Sequence, residues 1–325
     1  ADRLSASAGL YYYDSDRSNA SLGGIDSTPL GPGDSFVPAF FAVFATPDPA
    51  NQPVDSNLTT EEVETFAIFG ELSYQLTDRF ELAGELRYTD EEKNVDRVLN
   101  FTFPGAGPDT ATFDYITFRA IGSFQATDDQ LYYLSIASGA RSGGFNANAT
   151  LERENSFDEE TNITYELGAK TEWLDNRLTA NIALYYVDWT DLQIASRSED
   201  PNNIFAVTRN TGDATSVGFE VELNALITDN LRAGLGYAWT NPEFDDGAVD
   251  LGLTNLCGTD ASICPNGTDV SGKQLGRTIE NQFNANLEYQ GALAGDWEWY
   301  ARGDLAWLDK QPVRSANVQF LDSYT

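Results

Sequence analysis

The sequence predicts an all-β fold, an antiparallel transmembrane β-barrel, from three observations. Apolar and polar residues alternate with period two along most of the 325 residues, the connections sort into short and long, and aromatic residues gather where the alternating segments end. Ten segments alternate, with apolar registers at 4–12, 66–76, 80–88, 116–126, 163–173, 178–186, 215–227, 231–239, 283–289 and 297–307. These registers hold 55 positions and no charge, whereas 15 of the 45 interleaved positions are charged, so each segment has one apolar and one polar face.

Taken in order, Leu4, Ala6, Ala8, Leu10 and Tyr12 open the first strand. Phe66 to Leu76 turns at Thr77-Asp78-Arg79 into Phe80 to Tyr88. Ile116 to Ala126 turns at Thr127-Asp128-Asp129 into a strand that leads to Gly139. Ile163 to Trp173 turns at Leu174-Asp175-Asn176 into Leu178 to Tyr186, and Thr215 to Ile227 turns at Thr228-Asp229-Asn230 into Leu231 to Trp239. Phe283 to Tyr289 reaches a fifth turn near Gly291 to Gly295, then Trp297 to Trp307. That makes eleven strands, with a twelfth expected from about Val318. Asp and Asn suit such turns because their side chains bond the nearby backbone.

Between the turns lie long connections at 14–62, 91–113, 139–160, 191–213 and 242–280, rich in Gly, Pro, Asn, Asp and Ser. Short periplasmic turns and long extracellular loops are the pattern of outer-membrane barrels. Trp173 and Trp297 lie beside short turns, while Tyr12, Tyr88, Tyr186, Trp189, Trp239 and Trp307 lie where strands enter long loops. Amphipathic rings at both ends of an apolar band match two membrane interfaces.

Composition narrows function. Asp and Glu number 51 against 19 Lys and Arg, a net charge of −32, which excludes phosphate-backbone binding to nucleic acid. The chain has no His, so histidine-based catalysis and His-ligated metals are excluded. The longest run without a charged residue is Ser35 to Pro47, too short for a membrane helix, whereas a closed barrel remains compatible. No pair of carboxylates stands out among the many Glu, and the chain is expected not to be an enzyme, with no cofactor and no resident metal.

Four segments carry a resemblance. Phe69-Gly70-Glu71 to Tyr74, with Leu76-Thr77-Asp78-Arg79 and Gly84-Glu85-Leu86-Arg87-Tyr88-Thr89, resembles a strand–turn–strand that ends in a "GxRYT" motif, here with one extra residue between Gly84 and Arg87. Gly139-Ala140-Arg141-Ser142-Gly143-Gly144-Phe145-Asn146 matches "GxRSGGFN", and Tyr165-Glu166-Leu167-Gly168-Ala169-Lys170 matches "YELGxK". Asn210-Thr211-Gly212-Asp213-Ala214, then Gly218-Phe219-Glu220-Val221-Glu222, matches "NxGxA…GFExE". The whole chain, 1–325, resembles the barrel portion of TonB-dependent outer-membrane receptors. That resemblance implies a single domain holding about half of a 22-stranded barrel, truncated at both ends, with plug, TonB-binding segment and last strands outside it.

It also implies a Gram-negative outer membrane, lipid around the barrel, a plug in the same full-length chain, and the TonB complex as energy source. The implied ligand is a ferric siderophore, another metal chelate, a cobalamin or a saccharide. A passive porin-like channel and a soluble adhesin or carbohydrate-binding module are the alternatives. Glu71, Glu85, Arg87, Arg119, Glu166, Lys170, Glu220, Glu222 and Arg232 are expected on the lumen wall facing the plug. Arg141, Phe145, Phe40 and Phe41 are candidate ligand contacts. The alternative for the Arg141 motif is a structural bend, with Gly143 and Gly144 supplying positive φ. Cys257 and Cys264 flank six residues of a loop expected outside the cell, where disulfides persist; a disulfide between them is expected, with two free thiols as the alternative.

Overall fold

The computed structural model describes residues 3–23, 55–99, 109–203, 205–257, 264–292 and 297–325. In chain order its strands are β1 (Leu4–Gly23), β2 (Asp55–Thr77), β3 (Phe80–Leu99), β4 (Asp109–Thr127), β5 (Gln130–Arg141), β6 (Gly144–Phe145), β7 (Ser156–Phe157), β8 (Glu160–Trp173) and β9 (Leu178–Thr190). There follow β10 (Gln193–Arg197), β11 (Ala206–Asn210), β12 (Ala214–Thr228), β13 (Leu231–Phe244), the short helix α1 (Leu253–Cys257), β14 (Asn281–Ala292), β15 (Glu298–Leu308), β16 (Gln311–Pro312) and β17 (Phe320–Leu321). Eleven of them form one sheet in the order β1-β2-β3-β4-β5-β8-β9-β12-β13-β14-β15, every neighbour antiparallel. Of the three remaining ladders, β6–β7 and β10–β11 lie in the long connections and β16–β17 in the segment after β15.

Register joins like with like. Tyr74 pairs with Leu82, Leu134 with Leu167, Leu167 with Leu184, and Leu184 with Phe219, giving an apolar row across the sheet. The parallel row on the other face runs Ser7–Glu71–Glu85–Arg119. The apolar face is bare: Leu10, Ile116, Leu134, Leu167, Leu184 and Leu287 are each at least half exposed. A face of this extent is stable only against a partner that is itself apolar. No described helix is long and apolar enough to cross a membrane, which says nothing of strands.

Three of the short turns share one device. The hydroxyls of Thr77, Thr127 and Thr228 each accept the N–H two residues on, from Arg79, Asp129 and Asn230, at 3.2–3.3 Å. A register shift of the ladder accompanies each turn, at 75/77, 125/127 and 226/228. The extra residue tightens the turn and increases local twist. At the fourth turn Leu174, Asp175 and Asn176 all have positive φ, a conformation that Asp and Asn tolerate better than Leu.

Two expectations are corrected. The connections at 14–62 and 91–113 contain long strand: β1 runs on to Gly23, β2 starts at Asp55, β3 reaches Leu99 and β4 starts at Asp109. Asp14 to Asn19 pair residue by residue with Glu64 to Thr59. With polar side chains on both faces no period-two pattern marks the extension, yet backbone pairing continues. The second correction concerns the segment from Val318. It supplies the two-residue β17 and a single bridge, Leu308 to Tyr324, rather than a long twelfth strand.

Candidate functional site: the polar wall and its loop cap

All nine residues expected on the polar wall lie on the face opposite the apolar rows, and many of them are engaged there. Arg119 Nη1 lies 3.9 Å from Glu85 Oε1. The Tyr133 hydroxyl donates to Glu166 at 2.6 Å, and Lys170 Nζ sits 5.9 Å from the Tyr133 ring centre. Tyr133 lies over Gly168, where a Cβ would collide with its ring, so glycine in "YELGxK" makes room for a wall tyrosine. Asn181 Nδ2 donates to Glu222 at 3.3 Å, and Arg232 stands opposite Glu288 in the β13–β14 register.

Near the long-connection end of β1–β5 the wall forms a hollow lined by Tyr11, Tyr13, Arg87, Thr89, Glu91 and Tyr115 among others. The Arg87 guanidinium lies 5.1 Å from the Tyr11 ring centre and 5.7 Å from that of Phe69, and Nε donates to Thr89 at 3.1 Å. Among the described residues no ion pair includes Arg87. Beyond Tyr88, burial pushes the Glu91 carboxyl up, but hydrogen bonds from Ser142, Lys93 and Thr65 and the charge of Lys93 outweigh it and leave it below the usual range.

Lys93 ties β3 to the Arg141 motif. Its Nζ donates to Ser142 Oγ at 2.7 Å and Gly143 O at 2.9 Å, pairs with Glu91 at 3.1 Å, and lies 5.6 Å from the Phe113 ring centre. From the other side, Gln193 Nε2 donates to the carbonyls of Ser142 and Asp158 at 3.0 and 2.9 Å. Gly143 and Gly144 do not have positive φ, which corrects that expectation. A Cβ on Gly143 would strike Phe157 O and the Phe113 ring, so close approach is what demands glycine. Arg141 ends β5 opposite Glu160 and is exposed, while Phe145 is half-buried in β6. Phe40 and Phe41 lie outside the described residues.

The connections after β5, β9, β13 and β15 pack into a cap with a core of its own: Leu192, Ala214, Phe244, Ala248, Leu253, Cys257, Cys264, Val270 and Ala316. Cys257 and Cys264 are joined in a disulfide within it, Cα–Cα 5.6 Å. At the cap's centre Glu154, 4% exposed, accepts from Arg209 Nη2 at 2.6 Å, Ser198 Oγ at 2.6 Å and the Glu199 N–H at 2.8 Å. Arg209 Nη1 is also 3.8 Å from Asp250, which accepts from the Gly252 N–H and from Ser315 Oγ. Asn146, last residue of the "GxRSGGFN" segment, donates to Thr208 O at 2.7 Å and accepts from its N–H at 2.8 Å. Gly212 of "NxGxA" takes φ 121° against Ala248. Both motifs thus serve packing of the cap. Sequence reasoning missed Glu154, Arg209, Asp250, Ser315, Lys93 and Gln193. Only Arg209, next to the Asn210 motif, stood near a signal. Among the described residues no acidic or Cys cluster has a metal-holding arrangement.

An antiparallel sheet with one apolar and one polar face, tight turns at one end and a folded cap at the other is the arrangement of a stretch of transmembrane β-barrel wall. The family model for the TonB dependent receptor-like β-barrel matches residues 2–325, and the chain belongs to that family. The pesticin receptor of Yersinia enterocolitica is 27% identical over 196 residues, covering 59% of this chain and 27% of that one. The structure of the ferric yersiniabactin uptake receptor FyuA from Yersinia pestis superposes with a TM-score of 0.71 at 17% identity, covering all of this chain and 43% of that one. The closed form of the ferric-catecholate import receptor Fiu from E. coli K12 gives 0.61 at 18% identity, over 99% of this chain and 44% of that one. The chain therefore spans less than half the length of these relatives.

Proposed function

We propose that the intact protein is a Gram-negative outer-membrane receptor that binds a scarce metal chelate, a ferric siderophore first among the options, and imports it using TonB. The observation that carries this reading is the pairing of a polar wall with a separately folded cap at its long-loop end. A passive channel has no need of a cap with its own buried core. The names of the relatives, a ferric yersiniabactin uptake receptor and a ferric-catecholate import receptor, favour an iron chelate over cobalamin or saccharide.

In this reading the apolar rows meet outer-membrane lipid and the polar rows face a plug elsewhere in the same full-length chain. Glu71, Glu85, Arg87, Arg119, Glu166, Lys170, Glu220, Glu222 and Arg232 hydrogen-bond and pair with that plug. Arg141, exposed at the cap end of the wall and outside any ion pair among the described residues, is the candidate contact for an anionic chelate, with Phe145 beside it in sequence. Chelate is drawn in when TonB pulls on the plug. Uptake of iron-55 presented as a panel of ferric siderophores, in cells carrying or lacking the full-length gene and in a strain without TonB, tests the reading. Receptor- and TonB-dependent uptake of one chelate is the expected result. TonB-independent uptake indicates a passive channel and overturns it.

A further inference from the structure

We infer that the connections after β5, β9, β13 and β15 form one lid that opens as a single body, pinned by Arg209. Each connection supplies a member of one buried polar cluster: Glu154 after β5, Ser198 and Arg209 after β9, Asp250 after β13, and Ser315 after β15. Arg209 is the cation between two carboxylates. Glu154, Ser198, Asp250 and Ser315 are each at most 5% exposed. Withdrawing the β9–β12 connection alone would leave Glu154 and Asp250 both buried and without their cation, which is strongly unfavourable. The low-energy route exposes all of these groups to water together.

The remaining contacts reinforce this coupling. The apolar core is shared by three connections: Leu192 and Ala214 flank the second, Ala248 to Val270 belong to the third, and Ala316 to the fourth. Backbone bonds cross between them, from Val249 N to Thr211 O at 2.8 Å and from Arg277 N to Pro312 O at 2.6 Å. Asn255 Nδ2 donates to Ser198 O at 2.8 Å, and Asn317 Nδ2 to Gln274 O at 2.7 Å. Asn146 and Asn210 stitch the first connection to the second through Thr208 and Asp158. The lid opens as one body whatever ligand lies beneath it.

Hydrogen exchange of the full-length receptor in lipid nanodiscs, followed by mass spectrometry over a denaturant series, tests the inference. Peptides from the four connections, within 144–158, 193–203 and 205–211, 245–257 and 264–275, and 311–319, are expected to share one opening free energy and one denaturant slope in the wild type. Arg209→Met is expected to speed exchange in all four by a similar factor, roughly a hundredfold or more, with β8 and β9 unchanged. Glu154→Gln, which keeps the side chain's size, is expected to move the same four peptides together by a smaller factor. Separate slopes in the wild type, or an effect of either variant confined to its own connection, overturn the inference. The wild-type measurement alone decides if Arg209→Met does not fold.

Discussion

Arg209 bonds Glu154 at 2.6 Å across 55 residues of sequence, inside the cap. The most buried ion pairs among the described residues therefore lie in the connections, while the strands of the main sheet leave large apolar side chains bare. Removing one partner of a buried pair costs about 3–5 kcal/mol because it strands the other. Glu154→Ala is expected to lower cap stability by about that amount, read from exchange of cap amides, without loss of the β8–β9 ladder. A change under about 1 kcal/mol contradicts the buried pairing.

The disulfide predicts a smaller effect. A short closed loop between Cys257 and Cys264 restricts the unfolded cap modestly, by about 2 kcal/mol. Replacing both cysteines with serine is expected to speed exchange over 245–257 and 264–275 while the strands keep their protection. Finding both thiols free in a non-reducing peptide map contradicts the assignment.

Asp245 gives a pH dependence. Burial pushes its carboxyl up, the Thr215 bond opposes this, and the charges of Asp188, Asp213 and Asp246 add to the rise. A carboxyl raised in the folded state contributes stability that is present below its unfolded value, near 3.8, and is lost as pH rises through the folded value. Asp245→Asn keeps an oxygen for the Thr215 hydroxyl. Cap stability of the variant and wild type should match in acid, with the variant the more stable at pH 7. Equal stability at both pH values contradicts the shift.

Lys93 should act as a tie between wall and cap. Lys93→Met removes its donors to Ser142 and Gly143 while preserving bulk over Phe113. Charged hydrogen bonds of this kind contribute about 1.5–3 kcal/mol each. Faster exchange at 139–146 with an unchanged β2–β3 ladder is the expected outcome; unchanged exchange there removes Lys93 from this role.

The two faces of β8 should respond unequally to charge. Leu167→Arg, on the apolar row, is expected to cost about 2–4 kcal/mol in folding into bilayers. Thr164→Arg, on the polar face of the same strand, should change stability far less. Equal costs would mean that the faces have been misassigned.

Parity of the strands made the fold legible: Leu167 against Glu166, or Leu184 against Tyr185, states which side meets lipid. The outer strand extensions were hidden because residues such as Asp14 to Ser18 are polar on both faces and carry no alternation. The Arg141 and Asn210 segments were visible as motifs, but their use was not. Gly143 is required by Phe113 of β4 and by Phe157 at the far end of its own connection, and Gly212 by Ala248 of the next connection. The Glu154–Arg209–Asp250 cluster left no trace because its members come from three connections and no spacing relates them.

The most direct test of the barrel assignment is a nitroxide scan of β9 from Leu178 to Thr190 in the full-length receptor, reconstituted in lipid vesicles. The account predicts a period-two profile, with oxygen accessibility peaking at 182, 184 and 186 and falling at 181, 183 and 185. A flat profile, a period near 3.6, or high exposure to a water-soluble relaxant at 182, 184 and 186 would contradict it.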